Sequence, residues 1–396
     1  MRTIRHIMGI VQKELAHICR DNILLGIAIV SPILMTVLCG FIYIQQKVTQ
    51  LPMVVFDQDQ SEISRMIIRG FKDSERLTIT GTVNTYAEME RALQSDRAVM
   101  AVVIPPHLQA ELKNVHPTEV AIVINSSNIL TMNTAMTAAN QVVATVGAGV
   151  TMKVMQGLGL SQQRAYQAVT ALSFRTRNWY NPTLSYLVFM LVGLAGTILQ
   201  QVTFLGVSLA FIKEKEQGSW RHLAFSKLRA GELIWGKFLT YFLVYFLDAL
   251  VMYWLCFGYF KAPLRGDPWL LLLTVALFVV VLVAMGMVFS LITKNMLQAV
   301  ELSMLVAVPS FLVSGYTWPY ISMPAGVQFL SRILPLSYFV EAVRLISVMG
   351  AGWEIVWPYL AALAVFVLVC LPSAVILVKR QILPGNRSRQ LAQDTQ

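Results

Sequence analysis

The sequence predicts an α-helical polytopic membrane protein with six transmembrane helices and an inserted external α/β domain. Three observations lead there. Of 396 residues, 56% are hydrophobic and 13% charged, against about 25% charged in an ordinary soluble domain. The apolar excess is gathered into charge-poor runs of at least about 18 residues, long enough to cross the hydrocarbon core. Between residues 45 and 182 charges return, and short strand and helix patterns alternate.

Residues 1–22 place Ile4, Ile7, Val11, Leu15 and Ile18 at spacings of three and four, with Arg5, Gln12, Lys13 and Arg20 on other faces. That spacing predicts either an amphipathic helix lying in the membrane interface or a plain helical extension of the first span. The run 23–44 is too long, and too far from the start, for a cleaved signal peptide, and no small-x-small site follows it, so it reads as an uncleaved anchor. Within 45–182, strands are expected at Leu51–Phe56, Leu77–Thr80, Val99–Ile104 and Val120–Ile124. Helices are expected at Ser61–Lys72, with Ser61 as N-cap, at Thr85–Gln94 and at Thr131–Gly157. The strand at Val99 is stopped by Pro105-Pro106. Alternating strands and helices imply a small mixed sheet.

Further spans follow at 183–212, 238–260, 269–293, 296–318 and 355–378. The first of these is long enough to tilt or to continue past the membrane as helix. The 213–237 connection is long, whereas Lys294-Asn295 is almost no loop at all. Residues 319–352 are semi-apolar and broken by Pro319, Pro324 and Pro335. They suit either helices dipping into the outer leaflet, shielded by protein, or a helix lying on the surface. A basic tail, 379–396, ends the chain.

Charge sets the orientation. Arg2, Arg5, Lys13, Arg20, Lys213, Lys215, Arg221, Lys227, Arg229, Lys237, Lys294, Lys379, Arg380, Arg387 and Arg389 all fall on one side of this scheme. Only six acids accompany these fifteen: Glu14, Asp21, Glu214, Glu216, Glu232 and Asp394. By the positive-inside rule that side is cytoplasmic, as are both termini. The net charge of +10 is mostly this asymmetry, which argues against nucleic acid as a partner. Cys39, Cys256 and Cys370 fall in spans and Cys19 precedes them, so no disulfide is expected in the external domain and no zinc spacing occurs.

Several motifs fail on inspection. Gly231 to Gly236-Lys237 matches a phosphate-binding loop, but Phe238 stands where a hydroxyl must hold magnesium, and no strand precedes it. Asp57, Asp59 and Ser61 open like a calcium loop, yet Glu62 replaces its glycine and Ile68 its closing glutamate, so the aspartates are expected to cap a turn. His6, His17, His107, His116 and His222 have no nucleophile or carboxylate motif beside them, and no catalytic or metal site is expected. Asp248, inside the third span, and Glu301, near the start of the fifth, are expected to line a cavity or make interhelical hydrogen bonds, as are Gln200 and Gln201. The charged run Lys213, Glu214, Lys215, Glu216, followed by Gly218, Ser219, Trp220 and Arg221, reads as a helix end able to seat in a soluble partner.

These pieces together resemble the ABC-2 type permeases, the exporter class also called type V, and within it the bacterial multidrug-type group with a large domain between spans one and two. The resemblance is carried by Lys13-Glu14-Leu15 with Arg20-Asp21, by Phe56 to Ser61, by Ile104-Pro105-Pro106, and by Glu214 to Ser219 with Gly236-Lys237. It continues through Ser314-Gly315, Met323-Pro324 and Pro335 to Tyr338. It implies a permease subunit in the bacterial inner membrane that pairs with a second permease, identical or different. Separate cytoplasmic ATPase subunits would bind ATP and Mg, so this chain has no cofactor and is not itself an enzyme. Residues 213–222 would be the coupling helix, with Lys13 and Glu14 a second ATPase contact. Ser314, Gly315, Pro319, Pro324, Pro335 and Tyr338 would belong to the external gate. Hydrophobic or drug-like substrates, membrane lipid and, in some relatives, a periplasmic adaptor complete the expected partners. Where many relatives carry an acid and a later proline after the Gly-Ser pair, this chain has Arg221, His222, Ser226 and Lys227. Two other readings stand beside this one: an ion-coupled carrier working through Asp248 and Glu301, and a membrane-anchored assembly or sensing protein.

Overall fold

A computed structural model describes residues 2–44, 49–114, 116–170, 180, 185–216 and 230–393. They form two compact units, Met1–Gln46 with Trp179–Gln396, and Lys47–Asn178. The chain opens with α1 (Arg2–Arg20). Asp21 then breaks the helix: its carboxylate accepts from the backbone N–H groups of Ile23 at 3.0 Å and Leu24 at 3.1 Å, capping the first span, α2 (Asn22–Tyr43).

The inserted unit is an α/β domain. Strand β1 (Leu51–Asp57) lies parallel to both β2 (Leu77–Thr82) and β3 (Met100–Ile104), while β4 (Ala121–Ile124) runs antiparallel to β3, in the order β2-β1-β3-β4. The central strands read as unbroken apolar runs because both of their faces are covered. Met53, Val55, Met100 and Val102 pack with Phe71 and Ala138, and Val54, Phe56, Ala101 and Val103 pack with Met89. The helices are α3 (Glu62–Lys72), α4 (Tyr86–Gln94), α5 (Leu108–Lys113), α6 (Ile129–Gly157) and α7 (Gln162–Thr170). Ser61 Oγ accepts from Ser64 N at 3.1 Å and Thr85 Oγ1 from Glu88 N at 3.1 Å, so both caps follow from side-chain chemistry. Asp57 accepts from the amides of Asp59 (3.0 Å) and Gln60 (2.9 Å) and from the Ser64 hydroxyl (2.8 Å), which makes it a turn cap. Helices α5 and α7 are additions to the expected set. The first is only six residues long, and the second, QQRAYQAVT, has few large apolar side chains to mark a helical period.

The other unit continues with α8 (Tyr186–Glu216), α9 (Ala230–Trp254), α10 (Pro268–Ile292), α11 (Met296–Val313), α12 (Ala325–Arg332), α13 (Pro335–Arg344) and α14 (Trp353–Gln393). Six helices are long and apolar enough to cross a membrane: α2, α8, α9, α10, α11 and α14. Helix α8 runs on to Glu216, so Lys213–Glu216 form the charged helix end that the sequence suggests. Helix α9 begins at Ala230, inside the stretch expected as a loop up to 237, and α14 carries the helix through the basic tail as far as Gln393. Helices α8 and α10 form the centre, where Leu191, Leu199, Phe204 and Val207 meet Phe278, Val279 and Leu282, all fully buried. Helices α2, α11 and α14 keep outward apolar stripes (Leu34 and Leu38, Met304 and Leu305, Leu368 and Val369), as a lipid-facing surface requires.

Within 319–352 the two helices differ in burial. Helix α13 plugs into the bundle, with Leu336, Phe339, Val340 and Val343 buried, whereas α12 stays peripheral with Phe329 exposed. In the α/β domain expressed alone (residues 47–178), Phe71→Ala is expected to cost about 3–5 kcal/mol and Ser61→Ala about 1 kcal/mol in urea unfolding.

Candidate coupling site and polar interior

The last turn of α8 carries four consecutive charged side chains, and each reaches a different part of the bundle. Lys213 pairs with Asp21, at the head of α2. Glu214 accepts from Lys13 of α1 at 2.7 Å and pairs with Lys237 of α9 at 3.1 Å. Lys215 donates to the Ser290 and Leu291 carbonyl oxygens at 3.3 and 3.0 Å, at the C-terminal end of α10. Glu216 accepts from the Met296 amide at 2.8 Å, at the first residue of α11. The signs match the helix ends: a cation on the free carbonyls of α10 and an anion on the free N–H groups of α11.

Lys237 is the buried centre of this arrangement, with no exposed surface. Its ammonium donates to Glu14 Oε1 at 3.0 Å and to the Ala210 carbonyl at 3.0 Å, and lies 3.1 Å from Glu214 Oε2. A lysine can be buried charged only with such pairing. The charge turns α1. Ile10, Val11, Glu14 and Ile18 are its buried positions, while Ile4 is 68% exposed. The packed face is therefore rotated away from the Ile4 to Ile18 stripe expected from spacing alone, because Glu14 must reach Lys237. Gly236 makes the approach close: a Cβ there would stand 2.6 Å from Ile10 Cγ2. His6 Nδ1 lies 3.2 Å from Glu232 Oε2 and adds a second tie between α1 and α9. Lys13's pKa is raised: burial, the largest single influence, lowers it, but the hydrogen bonds and charges of Glu214 and Glu14 together outweigh that. Asp21 is held below the usual carboxylate range by the Lys213 ammonium and then by the Leu24 N–H. Its contribution is complete above that range and fades as pH falls through the lowered value.

The sequence-derived coupling residues therefore divide. Glu14, expected as an ATPase contact, is enclosed within the chain. Lys13, Lys213, Glu214, Lys215 and Glu216 all have partners within the chain, Lys13 and Glu216 while exposed at its surface, and Gly218, Ser219, Trp220 and Arg221 lie outside the described residues. Lys237, His6 and Glu232 were absent from the expected site. The available signal for Lys237 was Glu14 lying midway between Ile10 and Ile18 on one helix face, an acid that needed a partner. The phosphate-loop match from Gly231 to Lys237 is continuous helix, with its lysine held by two carboxylates.

The polar interior divides as well. Asp248 is 4% exposed and Gln200 fully buried. Asp248 Oδ2, both Gln200 side-chain atoms and the hydroxyls of Thr203, Tyr245 and Tyr253 have no hydrogen-bond partner among the described residues. Gln201 and Glu301, by contrast, are exposed. Asp248 and Glu301 thus do not share an enclosed site, which corrects the pairing expected of an ion relay.

At the other end of the bundle, Gly315 takes a left-handed φ of +79°, conformationally cheap for glycine. This turn drops Tyr316 onto α8, where its hydroxyl donates to the Phe189 carbonyl at 2.8 Å. A side chain at Gly193 would overlap the Tyr316 ring. Ser314 donates to the Phe311 carbonyl at 2.8 Å. Pro319 precedes a single turn, Tyr320–Ser322, Pro324 caps α12 and Pro335 starts α13. Tyr338 donates to the Arg332 carbonyl at 2.8 Å. The expected gate residues are thus gathered at one end of the bundle.

Six apolar helices, an inserted α/β domain and a charged helix end tied to its neighbours define a polytopic transport subunit. The chain belongs to the ABC-2 family transporter proteins, whose family model matches residues 23–376. It is 27% identical over 364 residues to the inner membrane transport permease YhhJ of Escherichia coli, covering 90% of this chain and 92% of that one. It is 23% identical over 374 residues to the probable multidrug ABC transporter permease YbhR of the same organism, covering 94% and 98%. With YbhS, another probable multidrug permease, it shares 24% over 347 residues, covering 87% and 89%. The chain is a membrane permease subunit of an ABC transporter.

Removing the Lys237 charge takes the buried partner from two carboxylates, leaving, among the described residues, only the Lys13 cation beside them. Lys237→Met is expected to destabilise the detergent-solubilised protein by about 3–5 kcal/mol, read as a lowered unfolding temperature. Gln201→Ala, on the exposed face, is expected to change it by no more than about 0.5 kcal/mol.

Proposed function

We propose that this chain is the permease half of an ATP-driven exporter in a bacterial inner membrane. Both termini and the end of α8 face the cytoplasm, and the α/β domain stands outside. Two permeases form the path, and separate ATPase subunits bind ATP and Mg and grip the stretch 217–222. The positive-inside asymmetry supports the orientation, and the printed names of YbhR and YbhS support a hydrophobic or drug-like substrate.

The observation that carries the reading is the last turn of α8. A force applied just beyond Glu216 acts on α1, α2, α9, α10 and α11 at once, through Lys213, Glu214, Lys215 and Glu216. The residues at the end of α8 transmit, and those after it bind. Two variants separate the roles in pull-downs from mild detergent. Trp220→Ala is expected to release the ATPase subunit. Lys237→Gln is expected to retain it while export per ATP hydrolysed falls at least about tenfold. Release of the ATPase by Lys237→Gln, or its full retention by Trp220→Ala, would count against this division.

Asp248 favours a second reading, because an enclosed acid without a partner is what a proton-coupled carrier would need. Under the ATP-driven reading Asp248→Asn retains export within about threefold and leaves its pH dependence unchanged. Abolished export with intact ATPase stimulation would decide for proton coupling.

A further inference from the structure

The end of the bundle that carries Gly315 holds a cleft of about 520 Å³, within the range of about 300–1,000 Å³ typical of small-molecule sites. It lies between the Ser314–Gly315 turn, the Tyr320 turn, α13 and the start of α14. Three tyrosines, Tyr320, Tyr338 and Tyr359, contribute to its lining, together with two arginines and one acid. Arg344 is already engaged: its Nη2 lies 2.6 Å from Glu341 Oε2 and 3.5 Å from the Gly315 carbonyl. Arg332 is different. Its Nε donates to the Tyr320 hydroxyl at 2.9 Å, and its terminal nitrogens make no hydrogen bond or ion pair among the described residues. Its backbone is held too, since Tyr338 donates to the Arg332 carbonyl at 2.8 Å. Glu341, the one acid in the cleft, is occupied by Arg344, which leaves the site with one uncompensated positive charge.

A guanidinium fixed through Nε presents its two terminal N–H₂ groups as a fork that fits a carboxylate or sulfonate. Tyrosine rings offer faces and edges on which a flat ring system packs. We propose that this cleft binds an organic anion with a flat, ring-bearing body, its acidic group on Arg332 and its rings among the three tyrosines. On the permease reading given above, this names the substrate class and places one stage of its passage at the outer mouth. Binding itself needs no ATPase, so the two ideas fail separately.

The test is equilibrium dialysis of radiolabelled 2-naphthalenesulfonate against the full chain in phosphatidylcholine nanodiscs, with empty discs subtracted. The expected result is saturable binding of one molecule per chain, weakened at least about tenfold by Arg332→Gln and measurably by Tyr359→Leu. The cation 2-naphthyltrimethylammonium should show no saturable binding. Arg332 is exposed, so Arg332→Gln should leave the unfolding temperature unchanged, and binding then reports the site rather than the fold. Equal binding by wild type and Arg332→Gln, or preference for the cation, would overturn the proposal. So would absence of saturable binding. Displacement of the probe by a few mole per cent of phosphatidylglycerol would also overturn it, by assigning the cleft to a lipid headgroup.

Discussion

A single ammonium group, Lys237 Nζ, sits where three helices meet and holds two carboxylates from different parts of the chain. Glu14 comes from α1 and Glu214 from the end of α8. Desolvating a lysine is expensive, so the site persists only while both acids stay in place. That requirement explains why α1 lies against α9, why Gly236 has no side chain, and why the apolar positions of α1 that pack differ from those that spacing alone selects. A buried ion pair of this kind contributes more to a fixed geometry than to net stability. Fixed geometry is what a helix end needs if it is to pass motion on.

Around that centre, the last turn of α8 behaves as a junction. Its four charges meet the head of α2, the buried lysine of α9, the carbonyl end of α10 and the amide end of α11. The dipole-matched contacts at α10 and α11 are short-range and geometrically specific. A rotation of α8 by a fraction of a turn therefore cannot leave its neighbours where they were. The opposite end of α8 has its own anchor, where Tyr316 seats against Gly193 and bonds the backbone at Phe189. One helix thus connects the proposed ATPase contact with the proposed outer mouth, and the enclosed polar groups Gln200 and Thr203 lie along it.

Most of the architecture was legible in the sequence because its causes are local. Spans show as uninterrupted apolar runs, the α/β domain as alternating periods, and the caps at Ser61 and Asp57 as a hydroxyl and a carboxylate placed before a helix or turn. The short helices α5 and α7 were not legible, α5 because six residues establish no period and α7 because few large apolar side chains mark one. The coupling site was half legible. The run from Lys213 to Glu216 stood out by composition as a charged helix end, but composition directs such charges outward to a partner rather than to neighbouring helices. Its charges are answered from other helices, by Asp21 192 residues away, Met296 80 residues away and Lys237 on the next helix, and spacing within a segment cannot report such partners. Of the two acids in the apolar runs, Asp248 is enclosed and Glu301, near the start of its span, is exposed.

The most direct test of the central claim is a double-mutant cycle on Glu214→Gln and Lys237→Gln, with ATP-driven export in proteoliposomes as the readout. If the pair transmits motion as one unit, each single change should cost nearly as much as both together, because either one breaks the link. Losses that multiply independently in the double variant would mean that the two residues act separately, and the junction described here would not be the transmission element.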